Sequence, residues 1–349
     1  MSKIFRIGTR DSELAVWQAT QVQNLLQKKG VQSELIFIKS EGDKDLITPL
    51  YALGVQGIFT KTLDAALLNN RIDIAVHSMK DVPVQLAEGI RQAAVLKRGN
   101  SKDIFVPNPN PDILKSKSHG TKFSHSVEYK IGGKKTGNEK TESWRFPLKE
   151  HSDKTEEFED VIIATSSVRR SAQWLNYFQN INFRIENLRG NVNTRLRKLK
   201  ESSWYGAIFA AAGLERINLR PANAIDLDWM LPAPTQGAIM IVCRTDDEEA
   251  FNACYTFNDE ATATCTKIEK DFLKELMGGC STPIAALAEI KNDKIIFKGN
   301  ILSLDGKEKA EVNKTISINE ANNFGKIAAQ DLLNNGGKDI AEFIRNAKV

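Results

Sequence analysis

Two kinds of apolar spacing alternate along the first hundred residues of the chain. Short apolar runs are typical of buried strands, and apolar residues that recur every three or four positions are typical of a helix with one buried face. The predicted elements are strands over Phe5–Thr9, Glu34–Lys39 and Ile72–Val76, with helices marked by Ala15, Ala19, Val22 and Leu26 and by Phe59, Leu63 and Ala66. Such alternation implies a parallel sheet with helices on its faces, and ligands of these folds bind beyond the carboxyl ends of the strands.

The same alternation starts again near residue 161. The second set comprises strands over Val161–Thr165, Phe183–Leu188 and Tyr205–Ala210, with helices marked by Val168, Ala172 and Leu175 and by Val192, Leu196 and Leu199. A repeated series of this kind predicts a second α/β lobe, so we expect two lobes that face each other across a cleft.

A different pattern begins at about Thr256 and runs to the end of the chain. Its elements are a helix with Cys265, Ile268, Phe272 and Leu276 on one face, strands over Ile295–Gly299 and Val312–Ile318, and a closing helix over Phe324–Leu333. This pattern predicts a small α+β domain.

Residues 108–158 interrupt the second series. They are rich in charged residues and poor in large apolar ones, so we interpret them as a largely solvated insertion in the second lobe, partly disordered. Three of the four histidines, His119, His125 and His151, lie there at spacings that fit no metal motif. The sequence therefore predicts no metal site.

Composition excludes few classes of protein. At 349 residues the chain should hold two or three domains, and its 41% hydrophobic and 26% charged content is ordinary. A net charge of +4 gives no reason to expect nucleic acid or a membrane as partner. The start of the chain has no signal-peptide pattern and no apolar run reaches membrane-spanning length, so we expect a cytoplasmic protein with reduced thiols.

Arginine placement is the strongest chemical signal. Arg169 and Arg170 fall in the first turn of a predicted helix, where the helix dipole disfavours cations. Arg189 again follows a strand and precedes a helix, and Arg10 repeats this after the first strand. Helix N-termini with hydroxyls and guanidiniums can bind anions. The alternative is that each arginine pairs with a surface carboxylate, which is less convincing for several arginines at one edge.

Asp81 is the acid of the segment His77–Pro83, which follows the third strand of the first series. Among cations this carboxylate should stay ionised, and it could stabilise a developing positive charge or shuttle a proton. An Asp that only closes a turn is equally compatible with this segment. His77 could act as a base, although a histidine at the end of an apolar strand is more often structural.

Cys280 follows two glycines that can end the preceding helix, because glycine accepts the left-handed conformation found there. Pro283 prevents the helix from resuming. The thiol is therefore expected at a tight corner that a ligand can approach closely. On this stretch alone, a cysteine buried as a small hydrophobe is the better interpretation.

From these residues two functions remain open. An enzyme that forms a covalent intermediate on a polycarboxylate would use the basic cleft, the acid and the thiol. A binding protein for anions would need only the cleft. The missing signal peptide argues against a periplasmic receptor, and the missing helix-turn-helix region argues against a transcriptional sensor.

Seven segments resemble the porphobilinogen deaminase (hydroxymethylbilane synthase) family and occur in the order found there. They are Ile7–Gln18, His77–Pro83, Thr165–Arg170, Arg189–Arg195, Ala212–Arg216, Pro232–Gly237 and Gly278–Cys280. Together they span nearly the whole chain except 108–158. The resemblance implies an α/β fold with two periplasmic-binding-protein-like lobes flanking a cleft and a small α+β C-terminal domain. It divides the chain into lobe 1 (1–101 with 238–255), lobe 2 (102–237) and the C-terminal domain (256–349).

The resemblance also implies the reaction. The enzyme would be a transferase of tetrapyrrole and haem biosynthesis that condenses four porphobilinogen units, with loss of ammonia, onto a covalent dipyrromethane primer. Water would then release linear hydroxymethylbilane. The dipyrromethane would be attached to Cys280 by a thioether. Porphobilinogen and the growing polypyrrole are the expected partners, nucleic acid and membrane are not, and a monomer is expected.

In this family Asp81 would be the main catalytic group, holding pyrrole N–H groups and stabilising their positive charge. The carboxylate arms of the pyrroles would bind Arg10, Ser12, Lys80, Thr165, Ser166, Ser167, Arg169, Arg170, Arg189, Arg195 and Arg216, with Gln236 and Gly237 nearby. Asp43 and Phe59 match lid positions that contact the cofactor. The lid departs from the family at Gln56 and Thr62, where lysine and glutamate are common.

Overall fold

The computed structural model of the protein describes residues 3–39, 60–110, 126–130, 143–147, 161–179, 183–276 and 282–346, with the backbone alone described at 126–130 and 143–147. Its strands are β1 (Phe5–Thr9), β2 (Ser33–Phe37), β3 (Ile74–Ser78), β4 (Ile90–Leu96), β5 (Asp103–Pro107), β6 (Ser126–Lys130), β7 (Ser143–Pro147), β8 (Val161–Ala164), β9 (Phe183–Glu186), β10 (Gly206–Ala210), β11 (Ile225–Asp226), β12 (Ile239–Arg244), β13 (Ile284–Lys291), β14 (Lys294–Leu302) and β15 (Lys309–Ser317). Its α-helices are α1 (Glu13–Lys28), α2 (Lys61–Leu68), α3 (Val168–Tyr177), α4 (Val192–Glu201), α5 (Ala211–Glu215), α6 (Glu248–Tyr255), α7 (Glu260–Glu275), α8 (Phe324–Leu332) and α9 (Lys338–Asn346). Within these ranges no helix combines the length and apolar character needed to cross a membrane.

The first sheet has the strand order β2-β1-β3-β12-β4. β1, β2 and β3 are parallel, whereas β12 is antiparallel to both of its neighbours. The interior positions of β1 and β3 are apolar and buried, as Ile7 and Ile74 illustrate, and α1 covers one face with Ala19, Val22 and Leu26. The sequence-predicted helix face is confirmed at these three positions.

The second sheet repeats this order as β9-β8-β10-β5-β11. β8, β9 and β10 are parallel, and β5 is antiparallel to β10. In each sheet, therefore, three parallel strands stand beside one antiparallel strand that enters from the other half of the chain. The two α/β lobes predicted from the sequence are confirmed.

Two connections link the lobes, one from β4 to β5 and one from β11 to β12, and we call residues 97–102 and 227–238 the crossing segments. They touch where the Gly99 amide donates to the Gly237 carbonyl at 3.0 Å. Gly237 has a φ of +89°, and a Cβ there would lie 2.9 Å from the Gly99 carbonyl oxygen. Glycine is required at this contact on both counts. We propose that the domain boundaries at 101/102 and 237/238 lie in these segments.

The C-terminal part of the chain folds around the antiparallel sheet β13-β14-β15. α7 and α8 pack on it and bury a core that includes Ile268, Phe272 and Phe297. The predicted small α+β domain is confirmed, and α7 ends at Glu275, just before the residues 277–281 that lie outside the described part of the chain.

The sequence missed several strands, among them β4, β5, β12 and β13. β4, β5 and β13 are each followed by another strand and not by a helix, so the strand–helix alternation that revealed β1–β3 and β8–β10 gives no signal for them. β12 is followed by α6, but it stands outside the two series that the alternation revealed. In the insertion, which we interpreted as largely solvated and partly disordered, the structure places the antiparallel pair β6–β7, and the sequence analysis did not predict these strands. Residues 111–125, 131–142 and 148–158 of the insertion and the lid up to residue 59 lie outside the described residues, whereas Thr62 lies in α2.

Candidate active site

A cavity of about 310 Å³ lies between the two lobes. The segments that follow β1, β3, β8 and β9 line it, so it sits beyond the carboxyl ends of parallel strands, as predicted. Twelve of the sequence-predicted site residues line this cavity: Arg10, Ser12, Lys80, Asp81, Thr165, Ser166, Ser167, Arg169, Arg170, Arg189, Arg195 and Gln236.

Of the remaining predicted residues, the structure describes only two. Arg216 and Gly237 are not among the lining residues; the Arg216 guanidinium donates to the Gly237 carbonyl at 2.6 Å and lies 5.7 Å from the Trp17 ring. Asp43, Phe59 and Cys280 lie outside the described residues.

The described lining is strongly basic. Six cationic side chains reach it, against the two carboxylates Glu13 and Asp81. The helix N-termini of α3 and α4 open onto the same space, and each is capped by a side chain: Ser167 accepts from the Arg170 amide and Asn191 from the Thr194 amide. Partial positive charge at these ends adds to that of the side chains, so the cavity favours polyanions.

Lys80 and Asp81 line the cavity from a short 3₁₀ turn that follows β3. The turn is fastened because the Met79 amide donates to the Ala238 carbonyl at 3.0 Å and the Met79 side chain is buried. Lys80 donates from Nζ to Gln236 Oε1 at 3.2 Å. Burial lowers the pKa of Lys80 to about 8, with Asp81 opposing the shift. Lys80 therefore remains largely charged at neutral pH.

Arg169 and Arg170 share one buried carboxylate, that of Asp103. Asp103 Oδ1 accepts from Nε and Nη2 of Arg170 at 3.0 and 2.8 Å, and Arg169 Nη1 lies 2.7 Å from Oδ2. Burial alone would raise the pKa of Asp103, but the two guanidiniums outweigh it and hold that pKa at about 2. The two arginines both line the cavity and pair with a carboxylate, and that carboxylate is buried rather than on the surface.

Sequence reasoning missed Asp103. It is the first residue of the otherwise apolar run Asp103-Ile104-Phe105-Val106, which the structure shows as β5. A charged residue at the head of a buried strand would have been the available signal, because such residues are almost never buried unless paired. The run itself was not recognised as a strand, so the signal was not seen.

Arg195 lies in α4, behind the loop that contains Arg189. Its Nε donates to the Gly190 carbonyl at 2.8 Å. Burial lowers the pKa of Arg195 to about 10, Arg170 adds to the shift, and Asp81 opposes it. A guanidinium with a pKa of about 10 is still a cation at neutral pH, so Arg195 contributes positive charge to the cavity.

His77 is buried at the end of β3. Burial lowers its pKa to about 4, and the nearby cations Lys270 and Arg10 add to the effect. The imidazole is therefore neutral at neutral pH and its pKa is far from that of an efficient general base. The structural interpretation of His77 is favoured.

The described cysteines do not supply a reactive thiol. Cys243, Cys254 and Cys265 are all buried, and burial raises the pKa of Cys254 to about 12 and that of Cys265 to about 11. On either side of residues 277–281, however, Leu273 and Thr282 both line the cavity. Thr282 is two residues from Cys280, a reach of at most about 7 Å.

The donors present fit a ligand with several carboxylates. Guanidiniums, an ammonium and six residues with hydroxyl groups line one cavity, and charged donors of this kind are the groups that bind carboxylates best. Arg169 Nε is buried and has no hydrogen-bond partner among the described residues. The described residues hold no cluster of His, Cys, Asp and Glu that could bind a metal ion.

Comparison with known proteins gives consistent matches along the chain. Residues 5–129 and 142–252 match the family model described as porphobilinogen deaminase, dipyromethane cofactor binding domain, and residues 263–334 match that of the porphobilinogen deaminase C-terminal domain. Curated relatives named porphobilinogen deaminase include that of Geotalea uraniireducens, 35% identical over 97% of this chain and 94% of its own, and that of Desulforamulus reducens, 35% identical over 97% of each. Among solved structures, the methionine-binding protein MetQ aligns with 72% of this chain and 89% of its own at 12% identity and a TM-score of 0.37. The chain belongs to the porphobilinogen deaminase family.

Proposed function

We propose that this protein is a porphobilinogen deaminase, a transferase that condenses four porphobilinogen units with loss of ammonia and releases linear hydroxymethylbilane for tetrapyrrole and haem biosynthesis. Family membership supports the reaction. The observation that carries the proposal for this chain is the cavity between the lobes, which six cationic side chains line together with Asp81. Porphobilinogen carries two carboxylates, and a chain of pyrroles carries more, so the charge of this cavity matches its ligand.

The cofactor of the family is dipyrromethane. When bound it supplies the pyrrole carbon to which new units are added. In this chain Cys280 would hold it by a thioether, and its carboxylates would bind the cationic and hydroxyl side chains that line the cavity. The flanking residues Leu273 and Thr282 support this assignment because both reach the cavity. A thiol used as an anchor needs no depressed pKa of the kind expected of a turnover nucleophile.

Asp81 would be the catalytic group. Its side chain lines the cavity and interacts electrostatically with the Lys80 ammonium and the Arg195 guanidinium. A carboxylate there can accept pyrrole N–H groups and stabilise the positive charge that develops on the ring when ammonia leaves. His77, with a pKa of about 4, is unsuited to that task.

The binding residues divide by lobe. Arg10, Ser12 and Lys80 would receive carboxylates from the side of the first sheet. The second sheet would contribute Thr165, Ser166, Ser167, Arg169, Arg170, Arg189 and Arg195, with Gln236 at the crossing segment. Asp43 and Phe59 remain candidate cofactor contacts of the lid. We further propose a cytoplasmic monomer with no nucleic-acid or membrane partner.

The test of this function is an intact mass of the purified protein beside that of Cys280→Ser. Both samples are also treated with the aldehyde reagent that colours dipyrromethanes. We expect the wild type to carry an adduct of two deaminated porphobilinogen units, colour-positive, which the variant lacks. A wild-type chain that stays unmodified after incubation with porphobilinogen would contradict the proposal and return Cys280 to the role of a buried thiol.

A further inference from the structure

Asp103 lies behind the cavity wall and contacts three of the side chains that line it. Its carboxylate is fully buried, with 0% exposure, at the first position of β5. Besides the contacts with Arg169 and Arg170 described above, Oδ1 accepts from Gln236 Nε2 at 3.0 Å. One carboxylate therefore orients two guanidiniums and one amide.

The contacts continue into the first lobe through Gln236. The amide that donates to Asp103 also accepts, through Oε1, from Lys80 Nζ. Lys80 belongs to the turn that carries Asp81, whereas Asp103 belongs to the second sheet. A continuous chain of polar contacts thus runs from the catalytic turn of one lobe to the arginine pair of the other.

This arrangement has a clear electrostatic reason. Arg169 and Arg170 are each about 5% exposed, and two adjacent buried guanidiniums repel each other and lose hydration. Each also donates to a carbonyl, Arg169 to Leu231 at 2.7 Å and Arg170 to Ile208 at 2.9 Å. These hydrogen bonds fix the direction of the guanidiniums, but a carbonyl oxygen carries no full negative charge. Asp103 supplies that charge and keeps both side chains in place.

We propose that Asp103 is a positioning residue of the cleft, which acts through Arg169, Arg170 and Gln236 to fix the donors that receive substrate carboxylates. That the substrate is porphobilinogen rests on the proposed function. Asp103 does not itself line the cavity, so its effect on the reaction is exerted through its partners.

The first experiment is steady-state kinetics of Asp103→Asn with porphobilinogen, normalised to the cofactor-loaded fraction measured by intact mass. When the guanidinium and amide groups that bind substrate carboxylates are misaligned, binding of the ground state and of the transition state weakens alike. We therefore expect KM to rise at least about tenfold with a smaller change in kcat. Asp226→Asn is the matched control. It removes a carboxylate from β11 of the same sheet, where Asp226 pairs with Arg220 and Lys102 outside the cavity, and its KM should stay at the wild-type value.

The second experiment needs no turnover. The Lys80 ammonium is titrated by NMR in protein with ¹³C-labelled lysine, assigned with Lys80→Arg, in a Cys280→Ser background so that cofactor loading cannot differ between samples. Asp81, Asp103, Arg169 and Arg170 face Lys80, the acids raising and the arginines lowering its pKa. Asp103→Asn should therefore lower the Lys80 midpoint, and Arg170→Gln should raise it.

The double variant Asp103→Asn/Arg170→Gln leaves the net charge of the buried cluster at its wild-type value, because one negative and one positive charge are removed together. It provides a second test if Asp103→Asn alone does not fold. Its Lys80 midpoint should return close to the wild-type value, because the two losses oppose each other. Its KM should stay high, because Arg169 still lacks its carboxylate.

Three outcomes would overturn the proposal: a folded Asp103→Asn with unchanged KM and Lys80 midpoint, a loss of stability with no change in either, or a double variant with wild-type KM. Should the wild type fail to consume porphobilinogen, the proposed function fails, while the Lys80 midpoints still decide whether Asp103 is coupled to the cleft.

Discussion

At the scale of single residues, Asp81 is the acid on which the proposed chemistry depends. Asp81→Asn keeps the size and shape of the side chain but removes the negative charge that faces Lys80 and Arg195. We expect the fold to persist and kcat to fall by at least about 100-fold, the order found when one transition-state stabiliser is lost. Turnover of porphobilinogen, with circular dichroism to check the fold, measures this.

The control for Asp81 is Asp246→Asn, a change at a carboxylate that is 89% exposed and distant from the lining residues. It should leave kcat unchanged. Near-normal turnover by Asp81→Asn would remove Asp81 from its assigned role.

His77 links a single buried side chain to the pH dependence of stability. Its pKa is about 4 in the folded chain and 6.5 when exposed, so between these values the unfolded state binds more protons. The free energy of unfolding should therefore fall as the pH drops from 6.5 to 4, by up to roughly 3 kcal/mol from this group. His77→Gln should lose that component. Urea unfolding at pH 7.5 and pH 5 compares the two proteins, and an equal loss in both would show that His77 is not the cause.

At the scale of elements, the turn between β14 and β15 docks on α3, the helix whose first turn holds the arginine pair. Asn176 donates to the Gly306 carbonyl at 2.7 Å. Gly306 has a φ of +72°, and a Cβ there would lie 2.6 Å from the Ala172 carbonyl oxygen. The C-terminal domain thus supports the helix that presents Arg169 and Arg170.

Gly306→Ala should destabilise the protein through both its backbone conformation and this steric conflict. Gly30→Ala is the matched control, because Gly30 has a similar φ of +75° but nothing within 4 Å of its Cβ position. The control should cost about 1 kcal/mol from backbone strain alone, and Gly306→Ala clearly more. Urea unfolding of the two variants measures the difference. Equal losses in the free energy of unfolding would mean that the turn can adjust without affecting α3.

At the scale of the whole molecule, Glu269 of α7 holds the three parts of the chain together. Its fully buried carboxylate accepts from both Nη atoms of Arg98 at 2.6 and 3.1 Å, from the Thr235 amide at 2.5 Å and from the Ala288 amide at 2.8 Å. Arg98 and Thr235 belong to the two crossing segments, and Ala288 to β13. One side chain therefore contacts both crossing segments and the domain that carries Cys280, and it contributes to the geometry between them.

Glu269→Gln leaves Arg98 without its counter-ion and places an amide donor against other donors. We expect a loss of about 3–5 kcal/mol in the free energy of unfolding, as for other broken buried pairs. Asp271→Asn, in the exposed pair with Lys267 on the same helix, should cost less than about 1 kcal/mol. Denaturant unfolding of the two variants tests the difference, and similar losses would contradict the role of Glu269.

The sequence by itself determined the parts of this protein that depend on local order. Apolar spacing predicted β1 with the bounds later observed, and placed α1, α3 and α4 near theirs, because a helix or strand buries its apolar residues at its own period. The arginines at strand ends predicted a basic cleft, because parallel strands bring their carboxyl ends to one edge of the sheet.

Only the tertiary structure decided the contacts between distant segments. β12 lies between β3 and β4 in the sheet although more than a hundred residues separate it from them in the sequence. The local spacing of apolar residues does not predict such a pairing. Asp103 became the partner of Arg169 and Arg170 only when β5 paired with β10. Arg216 donates to the carbonyl of Gly237 in a crossing segment, and neither residue is among those that line the cavity. Residue types and spacings state which chemistry is available, but long-range burial and charge pairing select which side chains meet.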